Sequence, residues 1–571
     1  MNRLIRLYPI LFLLICFNCT HKEPTVLGTE TMGEFAPKEA YLKGEIHPYY
    51  GSENAWDQRF FYEQDKEYYK RRGQRAMLEL TKGNIDGTIK YCQDLLKNDP
   101  NDLEAMFNLS AALAQQNKID EAIHIVRESV DKGLPLERYL VGPKEILKPL
   151  VNSIEFQKIL SHKEVNLIHG PMLGKVTDHS ASFWVRTAEE NDVQIYAGTS
   201  SSMSKHLYSK IVKTQAEKDY TAVIDIDGLE ADSYYFYDVL INGEPAQKEI
   251  HMFKTFPKKG SPAKFSIIFG GGAGYVPENE RIFKTILKQR PIASLWMGDN
   301  VYINMPQDPN AVHYYTYYRK QSRSEFRKLV SSTSNYAIWD DHDAATDDCW
   351  LGPYKDKPSW KMPLLEIFKE NWINPYNGTE EWPGTYFNFV IGDVEIFMLD
   401  GRIYRTNPWA DNPTMLGPAQ KEWLLNSLKN STAIFKVIAS PVPWSFESKK
   451  GAKDTWNGFH DERDEIFDFL SDNKIDGVFL ISADRHRSDA WKIERDQDYP
   501  LYEFMSSRLT NQHTHPLEPG ALFGYNEKPS FGKLTFDTKT LYPSVTYDIY
   551  NIDNEKIQSL ILTKSMLLHK E

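Results

Sequence analysis

Ala293-Ser294-Leu295-Trp296-Met297 runs into Gly298-Asp299-Asn300-Val301-Tyr302, and Tyr336-Ala337-Ile338-Trp339 runs into Asp340-Asp341-His342-Asp343. Each is a short apolar run of buried-strand length that stops on a glycine or on carboxylates. Four further runs repeat the pattern. Phe265 to Phe269 ends at Gly270-Gly271-Gly272, Val394 to Leu399 at Asp400-Gly401-Arg402, Phe435 to Ala439 at Ser440-Pro441, and Val478 to Ile481 at Ser482-Ala483-Asp484-Arg485-His486. Helical segments fall between several of them, among them Glu278 to Gln289 and Pro418 to Asn430, the latter with proline in the first turn. The alternation is that of an α/β domain, and the returning strand pattern of Lys533 to Thr563 is expected to complete a sheet. In such sheets functional groups gather beyond the carboxyl ends of strands, so the six polar ends are expected to meet in one crevice.

The residue types select a reaction class. Asp299, Asp340, Asp341, Asp343, Asp347, Asp348 and Asp484 are too many carboxylates for one pocket unless cations neutralise them. Oxygen ligands suit hard ions: calcium, magnesium, manganese or ferric iron. Arg402, Arg485 and Arg487 add positive charge, and metal plus arginine suits an anionic substrate such as a phosphoester. His342 and His486 are candidates to protonate a leaving oxygen or to ligate metal. Any one of these aspartates alone reads equally well as a helix cap or turn residue.

Outward from this domain, which spans 262–571, the pattern changes twice. Between 165 and 257 it has period two: Ser182-Phe183-Trp184-Val185-Arg186 and Val193 to Tyr196 alternate, and Asp227-Gly228 and Asn242-Gly243 mark turns. Several short strands in so few residues predict an immunoglobulin- or fibronectin-like β-sandwich with no chemistry of its own. Between 57 and 160 the pattern is helical, and Ile85, Asp86 and Ile89 recur 34 residues on as Ile119, Asp120 and Ile123. That is the tetratricopeptide period, read either as a surface for a protein partner or as a helical spacer packed on the next domain.

The first residues read as an export signal, 1–19: Arg3 and Arg6 precede the apolar run Leu7 to Phe17, too short to span a bilayer. Cys19, followed by a polar stretch, resembles the lipidated cysteine of a bacterial lipoprotein; a plain signal peptide cleaved nearby is the alternative. Either way the chain is exported, with the periplasm or outer membrane and a lipid anchor at Cys19 as the expected location. Residues 20–56 lack period and read as a tether.

Composition narrows the classes. Lys and Arg number 67 against 79 Asp and Glu, a net charge of −12, which gives no basic surface for a nucleic-acid scaffold. Mean hydropathy is −0.52, which excludes a polytopic membrane protein. Four cysteines, two of them in the leader, make no disulfide framework.

The blocks Asp299-Asn300-Val301-Tyr302, Trp339-Asp340-Asp341-His342-Asp343 and Asp484-Arg485-His486 resemble the signature of the PhoD-like alkaline phosphatases, within the calcineurin-like metallophosphoesterase fold. The resemblance continues through Leu399 to Arg402, Asp454 to Gly458 with Glu462-Arg463, and Ser506 to Leu509, and spans about 165 to 560. It implies a multidomain chain of helical repeats, a PhoD-type N-terminal β-sandwich and an α/β metallophosphoesterase sandwich. It further implies Asp299 as a carboxylate shared between metals, Tyr302 as a phenolate ligand, and Asp341 on the second metal, with Asp340 and Asp347 as further metal contacts. Asp484 and His486 would close the metal site, His342 would stand beside the phosphoryl group, and Arg402 would neutralise developing charge. The expected activity is hydrolysis of a phosphoester, mono- or diester, by a metal-activated hydroxide. The family places a metal-binding cysteine where this chain has Gly272, and a glycine where it has Ala483. Loss of a thiolate favours calcium, manganese or magnesium over tightly held iron, unless Cys349 takes its place. A phosphatase-fold protein that has lost catalysis, binding or scaffolding with its helical repeats at the cell envelope, is the competing expectation.

Overall fold

The computed structural model describes residues 68–569 apart from 162–164, 166, 202–205, 247–249, 304–308, 346 and 497. The export signal, the Cys19 anchor, the tether and the start of the helical region therefore lie outside the described residues. Among the described residues no helix is long and apolar enough to cross a membrane.

The two stretches related by 34 residues both open helices, Ile85–Asn98 and Ile119–Asp131, each after a left-handed turn residue, Gly83 at φ 77° and Asn117 at φ 62°. Between them Leu103–Gln115 is capped by Asp102, whose Oδ1 accepts from Glu104 N at 3.1 Å and Ala105 N at 3.0 Å. This middle helix is buried on every face, as expected of one held between two layers. Its second layer is not another helical repeat but the α/β domain. Phe107 meets the Tyr315 ring at 5.9 Å, and buried Glu104 accepts from the Tyr315 hydroxyl and pairs with Arg138 at 3.5 Å. One apolar cluster runs from Met77 and Phe107 through Tyr315 to Trp296 and Trp339.

Residues 167–254 form two antiparallel sheets. One has the order Leu167–Gly174, Ser180–Thr187, Thr221–Asp227; the other is centred on Asp192–Gly198 and Tyr234–Ile241. Phe183 bridges them, 4.4 Å from Tyr237 and 5.5 Å from Phe253. Trp184 and Arg186 of the first sheet reach the α/β domain, donating to Glu370 O at 2.7 Å and Asn371 Oδ1 at 3.0 Å.

The six apolar runs all form strands, but they do not share a sheet. Lys264–Gly270, Ala293–Met297 and Ser334–Ile338 are parallel neighbours in one sheet. The C-terminal strands Ser530–Asp537, Ser544–Asn551 and Lys556–Thr563 extend it from the Lys264–Gly270 edge, antiparallel. Val394–Met398, Phe435–Ala439 and Val478–Ser482 are parallel in a second sheet of seven strands. The sheets pack face to face through Phe435 and Phe479 on Phe536, at 6.0 and 6.3 Å, and Phe504 on Tyr547 at 4.4 Å. At one end they are stitched together, Gly271 N donating to Ser506 O at 3.3 Å and Leu509 N to Gly271 O at 3.0 Å.

Candidate functional site

Gly298 turns the chain out of its strand at φ 94°, and a Cβ there would stand 2.5 Å from the Cβ of Asp340. Glycine alone allows the two strand ends to approach this closely. Beyond it Asp299, Asp484 and His486 hold left-handed backbones, at φ 52°, 65° and 50°. Each such residue costs on the order of 1 kcal/mol, and here the cost aims three side chains at one place.

Tyr302 donates its phenolic O–H to Asp299 Oδ2 at 2.9 Å and accepts from Asn511 Nδ2 at 2.7 Å. His486 Nε2 lies 3.4 Å from the same phenol and 3.6 Å from Asp299 Oδ2. The His342 ring sits 4.5 Å from the Tyr302 ring, with Nε2 3.4 Å from Asp347 Oδ1. Asp341 accepts from the backbone N–H of His342 at 2.9 Å and of Asp348 at 2.7 Å. One ligand atom from each of Asp299, Asp341 and His342 falls within 4.8 Å of the others, and the same holds for Asp341, Asp347 and Asp348.

Two buried oxygens carry the strongest signal. Asp299 Oδ1 and Asp484 Oδ2 are shielded from water and accept no hydrogen bond. A buried carboxylate oxygen without a donor is costly, and a cation beside it removes the cost. Burial, reinforced by Asp341, Asp340, Asp343 and Asp484, pushes the Asp299 carboxyl well above its ordinary range. Burial lifts Asp340 to about 8 although Arg402 opposes it. At Asp341 burial is outweighed by His342, Arg402 and the Asp348 N–H, and its carboxyl is held below the usual range. Burial, with positive Lys70 and the neighbouring histidines, drives His486 well below its usual value, so its imidazole is neutral, the form that ligates.

Several expected residues have other duties. Arg402 is fully buried; its Nε is bonded to Asp340 Oδ1, its Nη2 lies 3.8 Å from Asp341 Oδ2, and its Nη1 donates to Cys349 O at 3.0 Å. It holds the two aspartates in position. Arg487 is committed to Asp489 at 2.7 Å and Ser448 O at 2.8 Å, so of the three arginines it contributes least to the cluster. Asp343 accepts from the backbone N–H of Asn300, Val301 and Asp340 at 3.0 to 3.1 Å, which locks the two signature loops together. Asp400 likewise ties its own turn, accepting from Arg402 N and Ile403 N at 2.9 Å, and Ser440 bonds Trp456 and Val442. The polar ends of those two strands serve the turns rather than the carboxylate cluster.

The Cys349 thiol points at the Asp341 carbonyl, 3.9 Å away, and belongs to none of the ligand groups among the described residues. Gly272 sits at φ 68°, where a Cβ would meet Arg508 N at 2.9 Å, so a cysteine there is strained in this backbone.

Sequence reasoning missed Lys70, Lys449, Asn511, His513 and His515. The Lys70 ammonium lies 5.1 Å from the Tyr302 ring centre, delivered from the helical region. Lys449 pairs with Asp454 at 2.5 Å and approaches Asp348 to 4.0 Å. None of these follows an apolar run, the one signal that marked the others.

Two facing mixed sheets with acidic loops at one end define an α/β metallophosphoesterase fold. Residues 269–531 match the model of the PhoD-like phosphatases. Residues 164–259 match a domain of unknown function (DUF7800). Alkaline phosphatase D of Bacillus subtilis (strain 168) is 23% identical over 337 residues, which cover 50% of this chain and 56% of that protein. The chain thus matches little more than half the length of that relative. A solved structure of PhoD superposes with a TM-score of 0.57 at 17% identity, over 69% of this chain and 88% of the other. The purple acid phosphatase PPD1 from yellow lupin (Lupinus luteus) seeds does so with 0.53 at 12% identity, over 70% and 75%.

Proposed function

We propose that this protein is an exported, metal-dependent phosphoester hydrolase. The observation that carries the reading is Asp299 Oδ1, buried without a donor on a residue that offers a ligand atom within 4.8 Å of those of Asp341 and His342. Asp299, Asp341 and Asp484, with Tyr302, would hold hard divalent ions, calcium, manganese or magnesium; Asp347 offers a further, more exposed oxygen, and Asp340 is drawn to Arg402. When bound, such ions supply Lewis-acid charge and acidify a coordinated water.

The chain's own groups have distinct parts. Asn511 fixes the Tyr302 hydroxyl against Asp299 Oδ2. Arg402 holds Asp340 and Asp341 against their mutual repulsion, a positioning role in place of the direct charge neutralisation first expected. His342, against the Tyr302 ring and 3.4 Å from Asp347, is placed to hold or release a proton at Nε2. Lys70 adds positive charge beside Tyr302 and favours an anionic substrate. The helical region, which buries Phe107 against Tyr315, acts as a cover of the catalytic domain that supplies this lysine. Export rests on the leader, with Cys19 as the anchor.

The test is turnover of an aryl phosphate and an aryl phosphodiester by chelator-stripped protein, with each ion added back. Ion-dependent hydrolysis of either ester, abolished by Asp299→Asn, is expected. No turnover with any ion would leave the binding or scaffold reading in its place.

A further inference from the structure

We propose that His486, His513 and His515 form a tri-imidazole site for a borderline divalent transition cation such as Zn2+, at the edge of the carboxylate cluster. One nitrogen from each of the three rings lies within 4.8 Å of the others. The ring centres are 4.6 Å apart for His513 and His515, 5.2 Å for His486 and His513, and 5.8 Å for His486 and His515. The His513 plane stands at 89° and 81° to its two neighbours, so the rings do not stack, and their nitrogens converge.

The loop that brings them together is fixed on both sides. Asn511 donates to the Tyr302 phenol and its Oδ1 accepts from His513 N at 3.1 Å. The hydroxyl of Thr514 donates to the carbonyl of His486 at 2.9 Å, and Asn526 Nδ2 to the carbonyl of His515 at 3.0 Å. The loop is therefore bonded to the very residue whose ring completes the trio. Three imidazoles are a poor set for magnesium or calcium, which take oxygen, and a good one for zinc, which commonly takes three histidines and leaves a fourth position open. His486 Nε2 stands 3.6 Å from Asp299 Oδ2, so a cation here would be a neighbour of the oxygen-ligated ions rather than a remote structural ion.

The experiment uses the full chain, stripped with chelator and titrated with Zn2+ alone, with no ester present. The wild-type protein should bind one tight equivalent more than the double variant His513→Gln, His515→Gln. For that equivalent the affinity should fall at least about a hundredfold, the upper end of what loss of outer partners alone costs. X-ray absorption of the zinc-loaded wild type, which does not depend on how a variant folds, should show imidazole scattering from several rings. Equal zinc stoichiometry and affinity in the variant, or a zinc shell of oxygen only, would overturn the site. Because binding is read without turnover, loss of this site and failure of the hydrolase reading are separate results.

Discussion

Gln74, in a helix some 230 residues away in sequence, donates its side-chain amide to the backbone carbonyl of Tyr302 at 2.7 Å. Its neighbours extend the junction: the guanidinium of Arg319 is bonded to the carbonyls of Lys70 and Arg72. The helical region is built into the wall of the candidate site. A chain beginning near residue 164 would expose Tyr315, which Phe107 covers, along with the polar groups that Glu104 and Gln74 satisfy. We expect it to aggregate or to lose activity, with the helical part restoring both when co-expressed. A soluble, fully active truncated protein would show that the helices are dispensable.

The Asp299 carboxylate contacts both Tyr302 and His486 through Oδ2. Asp299→Asn keeps the shape, removes the charge and should lower turnover on the order of a hundredfold or more. Metal analysis of the variant should show fewer retained ions. Near-native turnover at saturating metal would remove Asp299 from the centre.

Asp343 tests the structural role assigned to it. Asp343→Ala leaves three buried N–H groups without their acceptor, and urea denaturation should report a loss of about 3 kcal/mol. Asp343→Asn, which keeps one carbonyl oxygen, should lose less. A variant with native stability but no bound metal would instead make Asp343 a ligand.

The carboxyls of Asp340 and Asp343 are raised by burial to about 8 and about 7. In the unfolded chain they titrate near their ordinary value, about 3.9. The folded state therefore holds protons that the unfolded state has already released, and the stability these groups contribute at low pH is lost as pH rises. Chelator-treated protein should become less stable between about pH 5 and 8. Divalent ions, by favouring the ionised cluster, should flatten that slope in urea titrations. A metal-free protein that gains stability over this range would contradict the buried-carboxylate account.

Gly272→Cys should destabilise the protein rather than install a ligand. Its φ of 68° and the 2.9 Å approach to Arg508 N leave no relaxed position for a Cβ. Thermal unfolding should show a lower midpoint, with no gain in retained iron. A stable variant that gains an iron charge-transfer band would show that the Arg508 backbone yields.

The sequence by itself was enough for the six strands, because a buried parallel strand must be a continuous apolar run and a run that ends in aspartates is visible in one dimension. Ala293–Met297 and Phe435–Ala439 lie where the pattern put them. The signature aspartates and His486 were legible for the same reason: each follows such a run. What only the tertiary structure decided is who stands opposite whom. That the six strands divide between two sheets depends on long-range pairing, which leaves no local mark. That Asp343 and Arg402 hold loops while Asp299 Oδ1 stays unpartnered depends on distances between chain ends tens to hundreds of residues apart. Lys70 and the His513–His515 pair come from a helix and a loop with no apolar pattern at all. Their place at the site follows from packing, since the burial that brings them in is a property of the folded surface and not of their neighbours in sequence.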